Sequence, residues 1–301
     1  MPTHFQVCQA IAKLGNVAVL KWAHGKGFPW DFWTCARAAE NGHLEVLKWA
    51  HGNGCPWGEF TCAVAARGGH LELLKWAHEN GCPWNEYTCA YAAEHGHLEL
   101  LKWAHANGCP WSQLTCAAAK GGQLEILKWA REHGCPWHEK VCQDAAENGH
   151  LETLKWARAN GCPWNARTCE RAASGGHLEV LKWAHENGCP WNEGTCSQAA
   201  IGGHLELLKW ARENDCPWNA NNICGFAAQW GHLKLLKWAR ANGCPWDERT
   251  CSNAAWGDNL ELLQWAREQG CPWNADTTRQ ARLFRHDHIL DWALANGCPE
   301  V

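Results

Sequence analysis

A Pro-Trp pair returns along this chain at an almost constant interval: Pro29, Pro56, Pro83, Pro110, Pro136, Pro163, Pro190, Pro217, Pro245 and Pro272, with Pro299 followed by Glu300 closing the series. The step is 27 residues, apart from one of 26 and one of 28. A fixed period between about 20 and 50 residues marks a stacked array, because a unit that small cannot bury an apolar face alone. Eleven units fill residues 1–301, so a single domain is expected, capped by irregular units over about 1–28 and 274–301. In the last of them Arg282, Arg285, Asp287 and Asp291 stand where other units carry small or apolar residues, as a solvent-facing end requires.

Each unit reads as two short helices. Asn85 follows Pro83-Trp84 and suits an N-cap, with Glu86 in the first turn where the helix dipole favours negative charge. The first helix runs through Thr88 to Ala93 and stops near Gly96; the second runs from Leu98 to Ala104. Gly108 closes it as a left-handed residue, with Pro110 just beyond. The closing Gly recurs in ten of eleven units, and the exception, Asp215, still tolerates that conformation. Helices of under about a dozen residues are marginal alone, so stability must come from unit packing on unit. The fold class is therefore all-α, a helical-repeat solenoid of about eleven helix-turn-helix units.

The stretch "YTCAYAAEHGHLELLKWAHANGCPWS", Tyr87 to Ser112, resembles the ankyrin repeat: paired alanines, Gly-His before the second helix, a Leu-Glu start, the Lys and the closing Gly. Ankyrin units have about 33 residues. The present unit is shorter by about six where the family places its long β-hairpin finger, and "YTCA" replaces the family's "TPLH". It looks like the Trp- and Cys-rich variant found in giant viruses of amoebae and in oomycetes. The resemblance implies a non-enzymatic protein-protein interaction scaffold whose first helices line a concave, partner-binding face.

Composition narrows the alternatives. A formal charge of −4 gives no general drive toward nucleic acid or membrane. No run approaches the length of a membrane span and "MPTHFQVCQAIAKLG" lacks a signal-peptide layout, so a cytoplasmic, reducing location is expected. An active site needs an asymmetric group of residues, whereas nearly every polar residue here is repeated. There is no phosphate-binding Gly loop, no HExxH and no nucleophile elbow. No enzyme, no cofactor and no small-molecule substrate are expected.

The 20 cysteines and 18 histidines raise the question of metal. In a regular unit the cysteines are spaced C-x6-C across a helix start, as at Cys82 and Cys89, unlike the C-x2-4-C that opens most zinc sites. Equivalent cysteines of neighbouring units lie a full stacking distance apart, beyond the roughly 7 Å between Cα atoms that a disulfide spans. They read as free thiols filling small apolar spaces, with no metal site. The His after the connecting Gly (His43, His70, His97 and their counterparts) gives way to Gln123 and Asn259, which replace a hydrogen-bonding ring in a turn but not a zinc ligand. The recurring Trp residues read as inter-unit packing, with exposed stacking platforms as the rival; Trp33, Trp230 and Trp256 fall outside the pattern.

Function is sought where the copies differ. Four residues after the marker Pro come Trp33, Phe60, Tyr87 and Leu114, then polar residues including Arg167; a helical turn on lie Arg37, Val64, Tyr91 and, later, Arg171. The apolar members are the expected anchors for a protein partner, with Arg37, Arg167 and Arg171 as a charged border. The rival reading is a polyanion-binding rod, such as one for nucleic acid. It would use a Lys ladder (Lys48, Lys75, Lys102 and on) and a His/Arg ladder (His51, His78, Arg131, Arg212 and others) on the second helices. Against it, Glu45, Glu72 and Glu99 sit three residues before those Lys, at ion-pairing distance.

Overall fold

The computed structural model describes residues 4–112, 118 and 120–300. Among them the chain forms 21 α-helices of eight to ten residues and no strand. The protein is an all-α helical repeat, as the periodicity requires. The chain divides into two compact units, Met1–Ala145 with Glu152–Pro163, and Ala146–Leu151 with Trp164–Val301. Both use the same helix pair.

The first helix of a pair starts on an Asx cap. Asp31, Asn85, Asn165, Asn192, Asp247 and Asn274 each accept the backbone N–H two residues on, at 2.8–3.1 Å. Alanines on its inner face let neighbouring first helices approach closely. Phe32–Glu40 packs on Glu59–Arg67, which packs on Glu86–Glu94; in the second compact unit Ala166–Ser174 packs on Glu193–Ile201. Ala36, Ala38 and Ala39 are buried there. The second helices supply the large side chains: Leu47, Leu74 and Leu101 in the first compact unit, and Leu181, Leu208, Leu236 and Leu263 in the second, have no exposed surface. Each such burial stabilises by about 1.5–3 kcal/mol. The left-handed closing residues are where the sequence placed them, Gly108 at φ 80° and Asp215 at φ 61°.

The connecting turn does more than reverse the chain. The ring of His70 reaches back 30 residues to the carbonyl of Glu40 at 3.1 Å; His97 meets Arg67 at 3.0 Å, and His204 meets Ser174 at 3.0 Å. The imidazole thus joins one repeat to the preceding one rather than tying its own turn. Asn259 performs the same task, its Nδ2 donating to Ala228 and Gln229 at 3.0 Å. Gln123 departs from the scheme, donating to Gly121 within its own turn.

Candidate functional site

The exposed side chains of the first helices in the first compact unit form one aromatic group. Trp33 and Phe60 meet edge to face at 5.1 Å between ring centroids, Phe32 lies 4.9 Å from Trp33, and Tyr87 lies 6.0 Å from Tyr91. Phe60 and Tyr87 are 37% and 47% exposed, large for aromatic rings on a folded surface, while Trp33 and Tyr91 are half-buried. Phe60, Tyr87 and Tyr91 share a cleft of about 420 Å³ with Glu59, Ala63 and Asn85.

Cations border the rings. Arg37 lies over Trp33 at 5.5 Å and Arg67 over Tyr91 at 6.0 Å, both within cation–π range. Glu40 holds the two guanidiniums together, pairing with Arg37 at 2.8 Å and with Arg67. Burial pushes the Glu40 carboxyl up, but the hydrogen bonds and charges of Arg37 and Arg67 outweigh it and hold the group below its ordinary value.

Of the residues the sequence singled out, Trp33, Phe60, Tyr87, Tyr91 and Arg37 are thus brought together. Val64 is a correction: it is only 1% exposed and packs inside. Its side chain is short, whereas the longer Arg37 and Tyr91 side chains of the same column remain half-buried. Leu114 lies outside the described residues. Arg167 and Arg171 belong to the second compact unit, where they are exposed and line a cleft of about 170 Å³ with Glu170, Ser174 and Gln198. Arg171 pairs there with Glu147 at 2.8 Å.

Three participants are not among the residues the sequence singled out. Phe32 is 44% exposed and occupies a first-turn position where Glu59, Glu86 and Glu193 stand in other units; that exchange is its signal. Glu40 and Arg67 share a column eleven residues after the marker Pro, and the reversal of charge between them is theirs. The second compact unit carries its own aromatic run, Trp230 to Trp256 at 6.3 Å and Trp256 to Phe284 at 5.6 Å, in which Phe284 joins the two irregular Trp.

The basic ladders are occupied. Lys48, Lys75, Lys102, Lys128, Lys155, Lys182 and Lys209 each pair with the Glu three residues earlier at 2.6–2.9 Å. The His members stack on the Trp of the Pro-Trp pair, as His51 on Trp57 at 3.6 Å and His78 on Trp84 at 3.8 Å. That Trp meets the helix Trp of the next repeat edge to face: Trp84 and Trp103 lie 5.8 Å apart. Where the column carries Arg, a cation–π contact replaces the stack, as Arg240 over Trp246 at 4.1 Å. The described Trp of both recurring columns are half-buried, apart from Trp22, which is 58% exposed.

The thiols pair between positions that are not equivalent in the repeat. In the regular described repeats the first-helix Cys meets the Cys twenty residues on, before the next Pro-Trp: Cys35 with Cys55, Cys62 with Cys82, Cys196 with Cys216, Cys224 with Cys244; Cys8 meets the Phe28 carbonyl instead. All these thiols are buried, and none is in a disulfide. Among the described residues no group of three or more His, Cys, Asp or Glu side chains is placed to hold a metal ion. No helix among them is long and apolar enough to cross a membrane.

Short helix pairs joined side to side define a helical-repeat protein. Residues 142–185 match the family model of ankyrin repeats (many copies), and that segment is of ankyrin-repeat type; the remaining units repeat its sequence pattern. Among solved structures the chain is similar to the human ASB11 ankyrin repeat domain, with 18% identity, 52% of this chain and 83% of that one covered, and a TM-score of 0.44. No curated protein matches the chain.

Proposed function

We propose that the protein is a non-enzymatic binding scaffold that docks a protein partner on the first-helix face of its first compact unit, the concave side in ankyrin-like stacks. Ankyrin repeats generally mediate protein-protein interaction, and here one observation carries the assignment. Phe60 and Tyr87 stand exposed beside Trp33 and Tyr91; Phe60, Tyr87 and Tyr91 line one cleft, and Arg37 and Arg67, joined by Glu40, lie over the Trp33 and Tyr91 rings. Aromatic rings with Arg at their edge supply the large, rigid contact area that dominates interface energetics. Trp33, Phe60, Tyr87 and Tyr91 are the anchors, and Arg37 the border. Arg167 and Arg171 offer a separate charged surface, and Leu114 continues the anchor column in sequence. A cytoplasmic location accords with these buried thiols, none in a disulfide.

The test is affinity capture from host lysate with the natural chain and a Phe60→Ser, Tyr87→Ser, Tyr91→Ser variant, each with and without nuclease. A protein captured with nuclease present and lost with the variant supports the reading. Capture that nuclease abolishes and the variant leaves intact overturns it.

A further inference from the structure

The buried cysteine pairs are not all alike. The second-helix ladder residue five before the marker Pro differs between them. It is His51 or His78 in the repeats that contribute Cys55 and Cys82, and Arg158, Arg212 or Arg240 in those that contribute Cys162, Cys216 and Cys244. The Arg members are tied to their pair by a hydrogen bond. Arg212 donates to the Cys216 carbonyl at 3.1 Å and Arg240 to that of Cys244 at 2.6 Å, each guanidinium resting on the neighbouring Trp. A fixed guanidinium beside a thiol stabilises the thiolate, which is the nucleophile in thiol oxidation; the His51 and His78 rings stack on the neighbouring indole instead.

The partner thiol adds to this. A hydrogen bond from Cys196, with Arg212 behind it, holds the Cys216 thiol below its ordinary value against the effect of burial. Cys224 and Arg240 do the same for Cys244. The lower member sits just before Pro217 or Pro245, in a helix-free loop that joins two repeats, and the Cys216 Sγ donates to the Asn192 carbonyl at 3.6 Å. Local opening of such a short loop admits a small reagent without unfolding the helices. A resolving thiol is already in place when it does.

We propose that the thiol pairs accompanied by an Arg, Cys142/Cys162, Cys196/Cys216 and Cys224/Cys244, are peroxide-oxidisable dithiols that form disulfides between neighbouring repeats ahead of the pairs accompanied by a His. The Cys216 thiolate attacks one peroxide oxygen, the O–O bond breaks, and the departing oxygen leaves as water after taking a proton. Cys216 is then a sulfenic acid. The Cys196 sulfur attacks it, the Sγ–Sγ bond forms, and a second water departs with the remaining proton. Two thiols lose two electrons and one hydrogen peroxide becomes two waters. The product links a first helix to the loop opening the next repeat, so oxidation fixes one repeat against another. Cys271, whose carbonyl accepts from Arg267, has the same placement.

The experiment uses the reduced, full-length chain after removal of reductant. Hydrogen peroxide is added in limited amount, samples are alkylated at intervals, and disulfide-linked peptides are mapped by mass spectrometry. Links Cys196–Cys216 and Cys224–Cys244 are expected first, with Cys35–Cys55 and Cys62–Cys82 following more slowly. Arg212→His, which installs the residue that sister repeats carry, is expected to slow the Cys196–Cys216 link and to leave Cys224–Cys244 unaltered. His185→Arg runs the exchange the other way and should hasten Cys169–Cys189, so the comparison survives if one variant folds poorly. Equal rates for all pairs, links only between molecules, or indifference to both exchanges overturns the proposal.

Discussion

His70 and Gly42 occupy one joint: the imidazole that reaches the Glu40 carbonyl fills the space where a Gly42 side chain would be. A Cβ at Gly42 would fall 2.6 Å from ring atoms of His70, and the backbone there has φ 74°. Gly is required for two separate reasons, conformation and space.

Gly42→Ala should therefore destabilise by more than Gly81→Ala, which shares the left-handed backbone at φ 82° but opens onto empty space. The strain alone costs about 1–2 kcal/mol, and displacing the ring adds the loss of a hydrogen bond, about 1 kcal/mol more. Urea denaturation of the two variants reads the difference. Equal losses would show that the ring contact contributes nothing.

The surface assignment separates Phe60 and Tyr87 from Val64. Phe60→Ser and Tyr87→Ser should weaken partner capture while changing stability by about 0.5 kcal/mol or less each, as exposed substitutions do. Val64→Ala should do the reverse, costing about 1–3 kcal/mol through the space it vacates and leaving capture by the folded fraction intact. Binding assays paired with thermal melts distinguish the two.

These residues differ in how far their roles are legible from sequence. Caps, closing glycines and the repeat itself are local and periodic, so the pattern alone assigns Asn85 and Gly108. It does not assign Val64, because that column also holds Arg37 and Tyr91, and side-chain length rather than polarity decides which of them surfaces. The Cys196–Cys216 pairing and the reach of His70 to Glu40 escape the pattern for a different reason. Both depend on contacts 20 to 30 residues apart, and a backbone carbonyl acceptor leaves no mark in the residue type.

The Lys ladder should become a nucleic-acid binder once its partners are removed. Glu45→Gln, Glu72→Gln and Glu99→Gln together free Lys48, Lys75 and Lys102, paired at 2.7–2.9 Å in the natural chain. Fluorescence anisotropy with single-stranded DNA at low salt is expected to show tighter binding for the triple variant, with a steeper salt dependence. An unchanged isotherm would mean that these ion pairs do not mask the ladder.

Glu40 should confer a pH dependence of defined sign. Its folded carboxyl is held below the ordinary value of 4.5, so the ionised form is favoured by folding. The stabilisation is present above that value and fades as the pH falls through the lower, folded one. Glu40→Gln should flatten this acid limb in melts taken from pH 6 downward; an identical acid limb in the variant would assign the dependence to other carboxylates.

The joint between His70 and Glu40 also has a direction. The side chain comes from the later repeat and the carbonyl from the earlier one, and His97 with Arg67 keeps the same order. A chain built this way has a grammar: a repeat that carries the ring can follow one of any sequence, because the acceptor is backbone. Whole repeats can be duplicated or lost during evolution without redesign of their neighbours, whereas an insertion of a few residues within one strands the ring away from its carbonyl. Length becomes a heritable variable counted in steps of one repeat, and the face that meets a partner can be edited one copy at a time.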